Sequence, residues 1–182
     1  MSTLLRETGE TRVRVALRRG RGTSEISTGD VFLNHMLTAL ARYAALDLTV
    51  QATGDMRHHL VEDVAITIGL ALRDEIPATC RRYGHAVIPM DEALVEVALD
   101  AGGRAYYEGP LPSRLYDHFL RSLADNAGIT LHVRVLRGTD RHHTVEAAIK
   151  AFGLALRQAL AEGEDVFSTK GKVRIEREQE DA

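Results

Sequence analysis

The chain has a single cysteine, Cys80, in 182 residues. One thiol cannot close an internal disulfide, so a buried core must hold the fold, and this usage fits the reducing cytosol. No apolar run approaches the ~20 residues needed to span a bilayer, so no membrane anchor is expected. The segment Met1 to Glu10 is polar and charged, unlike a secretory signal. Net charge is only −3, which gives no general attraction to nucleic acid or anionic lipid. The remaining composition, 45% hydrophobic and 27% charged, is that of an ordinary globular chain. This length can bury one good core, or two small repeats that share one.

Histidine is abundant. There are eight, and four of them form two doublets. His58-His59-Leu60-Val61-Glu62 runs on to Ile66 and Gly69-Leu70-Ala71-Leu72-Arg73, while His142-His143-Thr144-Val145-Glu146 runs on to Ile149 and Gly153-Leu154-Ala155-Leu156-Arg157. The offset is 84 for every pair except the two isoleucines, which lie 83 apart, and matching apolar frames at one offset mark an internal duplication. On a helix, His58 shares a face with Glu62, and His142 with Glu146. The second histidine of each doublet is rotated by about 100° and points to a different site. Each segment can therefore feed two metals.

The rest of each half repeats as well. Val13, Val15 and Leu17 alternate with polar neighbours as a half-buried strand. Gly20 and Gly22 mark a turn, and Ser24 to Thr28 is expected to complete a hairpin. Asp30 is placed to cap a helix bearing Phe32, Met36, Ala39, Leu40 and Tyr43 on one face. Leu46, Leu48 and Val50 form a strand, and the His58 helix follows with Val61, Ala65, Ile68 and Leu72 inward. In the second half come a strand with Val95, Val97 and Leu99, a turn at Gly102-Gly103, a strand over 104–108, and a helix with Leu115, Phe119 and Leu123 capped by Ser113. A strand with Ile129, Leu131, Val133 and Val135 precedes the His142 helix. The unit is β-β-α-β-α, twice, in an α+β fold. The expected division is residues 1–86 for the first unit and 87–171 for the second, with 74–90 as the junction and a charged, frayed tail over 172–182.

His35 and His118 follow the duplication, lying 23 and 24 residues before His58 and His142. The donors then amount to three histidines and one glutamate per metal. A solvated helix face alone would not preserve such a cluster through duplication. Imidazole and carboxylate suit Mn, Fe, Co, Ni or Zn, and the lack of cysteine ligands argues against a structural zinc site. His132 is expected to point outward from its strand, and His85 reads as an unpartnered loop residue.

Beyond these patterns, the chain resembles the imidazoleglycerol-phosphate dehydratase family over nearly its whole length, from about Arg6 to Gly171. The matching pieces are Glu10-Thr11, Thr28-Gly29, Phe32, His35-Met36, Gly54-Asp55 and His58-His59 with Val61-Glu62-Asp63. They continue with Arg82-Tyr83-Gly84, Pro89-Met90-Asp91-Glu92-Ala93-Leu94, Gly103-Arg104, His142-His143 with Glu146-Ala147 and Lys150-Ala151, and Ser168-Thr169-Lys170-Gly171. Four departures stand out. Asn34 replaces an aspartate, Tyr43 a histidine and Asp140 an asparagine, and the segment between Asp55 and His58 is short and lacks an acidic pair.

The resemblance implies a helical layer between two mixed four-stranded sheets and a large homo-oligomeric shell, of 24 subunits, with active sites between subunits. It implies two Mn(II) ions per site. One would take His35, His59, His142 and Glu146, and the other His58, Glu62, His118 and His143. Glu10 would move the proton, and Arg82, Arg104, Ser168 and Lys170 would hold a small phosphate substrate. The implied reaction is dehydration of imidazole glycerol phosphate to imidazole acetol phosphate in histidine biosynthesis, in the cytoplasm, with an imidazolate bridging the two ions. The alternatives are a divergent di-metal enzyme acting on another phosphate, and a non-catalytic metal-binding shell protein.

Overall fold

The computed structural model describes residues 1–163. Each half holds four strands and two helices. The first has β1 (Ser2–Glu7), β2 (Thr11–Arg19), β3 (Ser24–Ser27), α1 (Val31–Ala44), β4 (Leu46–Gly54) and α2 (Arg57–Glu75). The second has β5 (Tyr83–Met90), β6 (Ala93–Asp100), β7 (Tyr106–Glu108), α3 (Arg114–Ala127), β8 (Thr130–Arg137) and α4 (Arg141–Ala159). The sheets have orders β1-β2-β4-β3 and β5-β6-β8-β7, each antiparallel except for one parallel pair at the β3 or β7 edge. The helices lie between them. The expected α+β class with mixed four-stranded sheets is what the molecule has.

Three expectations need correction. The predicted β-β-α-β-α unit lacks a strand: β1 and β5 open the two halves. Both are edge strands with one neighbour, so few of their side chains are buried and the apolar alternation is faint. β5 also carries Pro89, tolerated at an edge because no second neighbour needs its missing N–H. This strand spans residues 86 and 87, where the two units were expected to meet, and it takes in His85, which was read as a loop residue. The His85 ring lies 3.2 Å from Glu96 on β6. The third correction concerns β3, which pairs parallel with β4 rather than completing a hairpin with β2. The Asp47 carboxylate accepts from the N–H groups of Arg21 and Thr23 and from the Thr23 hydroxyl, which steers the chain across the start of β4.

Other local expectations meet their physical cause. Val13, Val15 and Leu17 are buried, as are Val95, Val97 and Leu99. Asp30 caps α1 by accepting from Leu33 N–H at 2.8 Å. Ser113 occupies the corresponding position on α3, but its side chain makes no capping bond. Asp140 caps α4 through the N–H groups of His142 and His143. His132 is exposed, as expected. The charged tail, 172–182, lies outside the described residues.

The helices pair across the halves, α1 with α4 and α2 with α3. Two duplicated glycines let them approach closely. A Cβ on Gly69 would lie 2.6 Å from Leu123 O, and one on Gly153 would lie 2.8 Å from Tyr43 Cβ. His35 meets His142 near the starts of α1 and α4, and Tyr43 meets Gly153 near their ends, so this pair runs parallel. Helix propensity alone favours alanine over glycine by about 1 kcal/mol. At Gly69 the backbone of α3 blocks that gain. Gly69→Ala is therefore expected to lower stability by about 1–3 kcal/mol, the usual overpacking cost, read as a fall in the urea unfolding midpoint. A rise in the midpoint would contradict the close approach.

Candidate metal centres

The parallel helix pairs put histidines from one half beside a carboxylate from the other. His35 on α1 and His142 on α4 each place Nε2 3.2 Å from the same oxygen of Glu146. His118 on α3 places Nε2 3.1 Å from Glu62 on α2, and His58 Nε2 lies 3.6 Å from Glu62. Within each trio the donor atoms lie within 4.8 Å of one another. The trios are mirror statements of one rule: a His-x-x-x-Glu pair from one half's second helix, and a histidine from the other half's first helix.

Their surroundings differ. Glu146 is buried. Burial raises its pKa, but the hydrogen bonds from Lys150 and His35 prevail, and the carboxyl stays below its ordinary value. Lys150 Nζ lies 2.8 Å from Glu146 Oε1 and over the ring of Tyr43, where the resemblance expects a histidine. The rings of His58 and His118 stack at 5.3 Å. The Nε2 atom of His118 is buried and makes no hydrogen bond among the described residues, although the Glu62 carboxylate is close. Imidazole and carboxylate groups that converge this closely suit a shared cation.

The second histidine of each doublet stands apart from both trios, as a rotation of about 100° requires. His59 Nδ1 contacts Asp55 at 2.9 Å and Glu10 at 3.5 Å. His143 Nδ1 contacts Glu92 at 2.7 Å. Asp55 first, and then Glu10, raises the His59 pKa. The hydrogen bond from His143 pulls Glu92 down to about 2. Glu10 sits on the β1–β2 turn. The Asp63 carboxylate anchors that turn to α2 through Thr11 and Arg6. Asn34 accepts from the backbone and hydroxyl of Thr28, closing the entry to α1.

Arg82 is gripped by both oxygens of Asp100, at 2.6 and 2.8 Å. It lines a cavity of about 630 Å³ with Gly102, Gly103 and Arg73, and no ligand candidate lines that cavity. Arg104 is exposed in the following loop. Ser168 and Lys170 lie outside the described residues. Lys150 and Glu92 carried no role in the sequence reading. The signal for Lys150 was its i+4 spacing from Glu146 on the same helix face.

A family model described as imidazoleglycerol-phosphate dehydratase matches residues 28–156. The chain belongs to the imidazoleglycerol-phosphate dehydratase family. Among similar curated proteins, the dehydratase of Pyrobaculum aerophilum is 49% identical, with 92% of this chain and 97% of the relative covered. That of Granulibacter bethesdensis is 44% identical over 93% and 97%. The crystal structure of IGPD from Pyrococcus furiosus has a TM-score of 0.84 at 41% identity, covering 93% of this chain and 100% of that one. The Staphylococcus aureus dehydratase structure has a TM-score of 0.76 at 32% identity, covering 89% and 99%. Dehydratases of this family are metal-dependent, and the two trios are the candidate ligand groups.

Glu146 offers a direct test. Lys150→Met removes the cation beside a buried carboxylate, and is expected to cost the metal-free protein about 3 kcal/mol. A divalent ion would take the place of that charge, so the loss should shrink when Mn(II) is added. Thermal melts with and without metal read both effects. An equal loss in the two conditions would place the ion elsewhere.

Proposed function

We propose that this member of the dehydratase family converts imidazole glycerol phosphate to imidazole acetol phosphate, a histidine-biosynthesis step, at sites completed between copies of the chain. The observation that carries this reading is the pair of reciprocal His₂Glu trios. Each holds three donors on rigid helices, one short of a four-ligand set. His59 and His143, set apart in their own chain, supply that fourth donor to a neighbouring copy. His35, His142 and Glu146 then combine with a neighbour's His59, and His58, Glu62 and His118 with a neighbour's His143. The ions are Mn(II), two per active site. When bound by these residues, the ions would supply Lewis acidity and an orienting template for the substrate.

The chain's own groups do the rest. The proton on the second side-chain carbon, one removed from the ring, is taken by Glu10, whose half-exposed carboxylate lies on an anchored turn next to His59. The hydroxyl on the carbon attached to the ring leaves as water, and the enol so formed tautomerises to the ketone. Arg82 and Arg104 bind the phosphate with Ser168 and Lys170, because guanidinium offers paired N–H donors and ammonium a point charge. Asp100 holds the Arg82 fork in place at its cavity rim.

Bridging ligands tie assembly to metal, so the working form is a large homo-oligomer, a 24-subunit shell, in the cytosol. No described helix is long and apolar enough to cross a membrane. The gene should rescue a histidine-requiring strain that lacks the dehydratase. Glu10→Gln is expected to lower kcat by about 10²–10⁴-fold, the usual worth of a positioned acid–base group, with bound Mn(II) unchanged. Chelation should abolish turnover and shrink the particle seen by light scattering. Full activity in E10Q would remove Glu10 from the mechanism, and full activity after complete metal removal would end the two-ion reading.

A further inference from the structure

The duplication that gives each half a histidine doublet also gives each half a carboxylate on its first hairpin turn. Val13, Val15 and Leu17 of β2 correspond to Val95, Val97 and Leu99 of β6 at an offset of 82, and the same offset carries Glu10 onto Glu92. Each carboxylate faces the second histidine of the doublet in its own half. Glu10 Oε2 is 3.5 Å from His59 Nδ1, and Glu92 Oε2 is 2.7 Å from His143 Nδ1.

The two differ in how they are held. Glu92 Oε1 accepts from the N–H groups of Asp140 at 2.8 Å and Thr139 at 3.3 Å, with the Thr139 hydroxyl at 3.5 Å. Asp140 in turn caps α4 through His142 and His143. One carboxylate thus ties the β5–β6 turn, the entry to α4 and the His143 ring together. The Glu10 carboxylate makes no hydrogen bond among the described residues. In the first half the near contact to His59 Nδ1 comes instead from Asp55, at 2.9 Å.

A carboxylate can only accept, so the Glu92 contact requires the proton of neutral His143 on Nδ1 and leaves a lone pair on Nε2. The nearest acidic oxygen to Nε2 is that of Asp91, at 3.5 Å. We infer that Glu92 is a positioning residue: accepting from Nδ1 and from the α4 entry loop, it holds His143 in the tautomer and orientation that present Nε2 to a divalent ion. Asp55 has the same task at His59, which releases Glu10, the duplicate of Glu92, for proton transfer. The inference rests on the metal reading proposed above.

Glu92→Gln tests it by chemistry rather than by size. Glutamine can satisfy the Thr139 and Asp140 N–H groups with its carbonyl only by turning its NH₂ toward His143. Nδ1 must then accept, the proton moves to Nε2, and the lone pair for the ion is lost. The experiment titrates Mn(II) into the purified, metal-stripped full chain. In E92Q, one of the two expected equivalents per chain should bind at least about tenfold more weakly, the low end for loss of a ligand's hydrogen-bond partner. The other equivalent should keep its affinity, and the metal-free melting temperature should match that of the unmodified protein. An unchanged isotherm overturns the inference. So does a weakening matched by an equal fall in the metal-free melt, since Glu92 would then only brace the loop. If E92Q does not fold, Glu92→Asp replaces it: the shorter carboxylate cannot span ring and loop together, and the same two readouts decide. An unmodified chain that binds no Mn(II) overturns the proposed function and this inference with it. Normal binding by the unmodified chain with no change in the variant overturns this inference alone.

Discussion

The close, parallel packing of α1 on α4 and of α2 on α3 is the constraint on which the rest of the molecule depends. At Gly69 and Gly153 the partner helix comes within the space of a single methyl group. That contact, near one end of each pair, fixes the separation and register at the other end, where the histidines lie. A ligand trio needs its donor atoms within a few ångström, and a helix pair held apart by ordinary side chains would open both trios together. The two halves share one core for the same reason. Neither half alone holds a complete trio.

The duplication supplied parts in pairs, and the surroundings made the members of each pair unequal. Glu62 and Glu146 take equivalent positions, yet Glu146 is buried beside Lys150 while Glu62 is partly exposed. Asp63 anchors the first half's hairpin through Thr11 and Arg6, whereas the corresponding position in the second half is Ala147, buried in the core. Glu92 then carries the bracing on that side.

Much of this was legible in the residues alone. The i to i+4 rule gave both His-x-x-x-Glu faces, and the offset of 84 gave the pairing of halves. The buried strands announced themselves by alternation. β1 and β5 did not, because an edge strand covered on one side buries too little to show a period. β3 read as the return arm of a hairpin, since the bonds to Asp47 that carry it past β4 join residues more than 20 positions apart. The contacts of Glu92 drew no notice because its partners, His143 and the loop at Thr139, are about 50 residues away.

The sequence by itself determined the ligand chemistry, the duplication and which faces of which helices carry donors, because these depend on residue type and on periods of a few residues. Residue type and local period left open which histidine faces which glutamate; the tertiary structure puts His35 with Glu146 and His118 with Glu62, the division the resemblance implied, and sets His59 and His143 outside both trios. Local periodicity orients a side chain about its own helix axis. Which helix lies opposite is settled by the packing of the whole core, and here by two glycines that admit a neighbouring backbone.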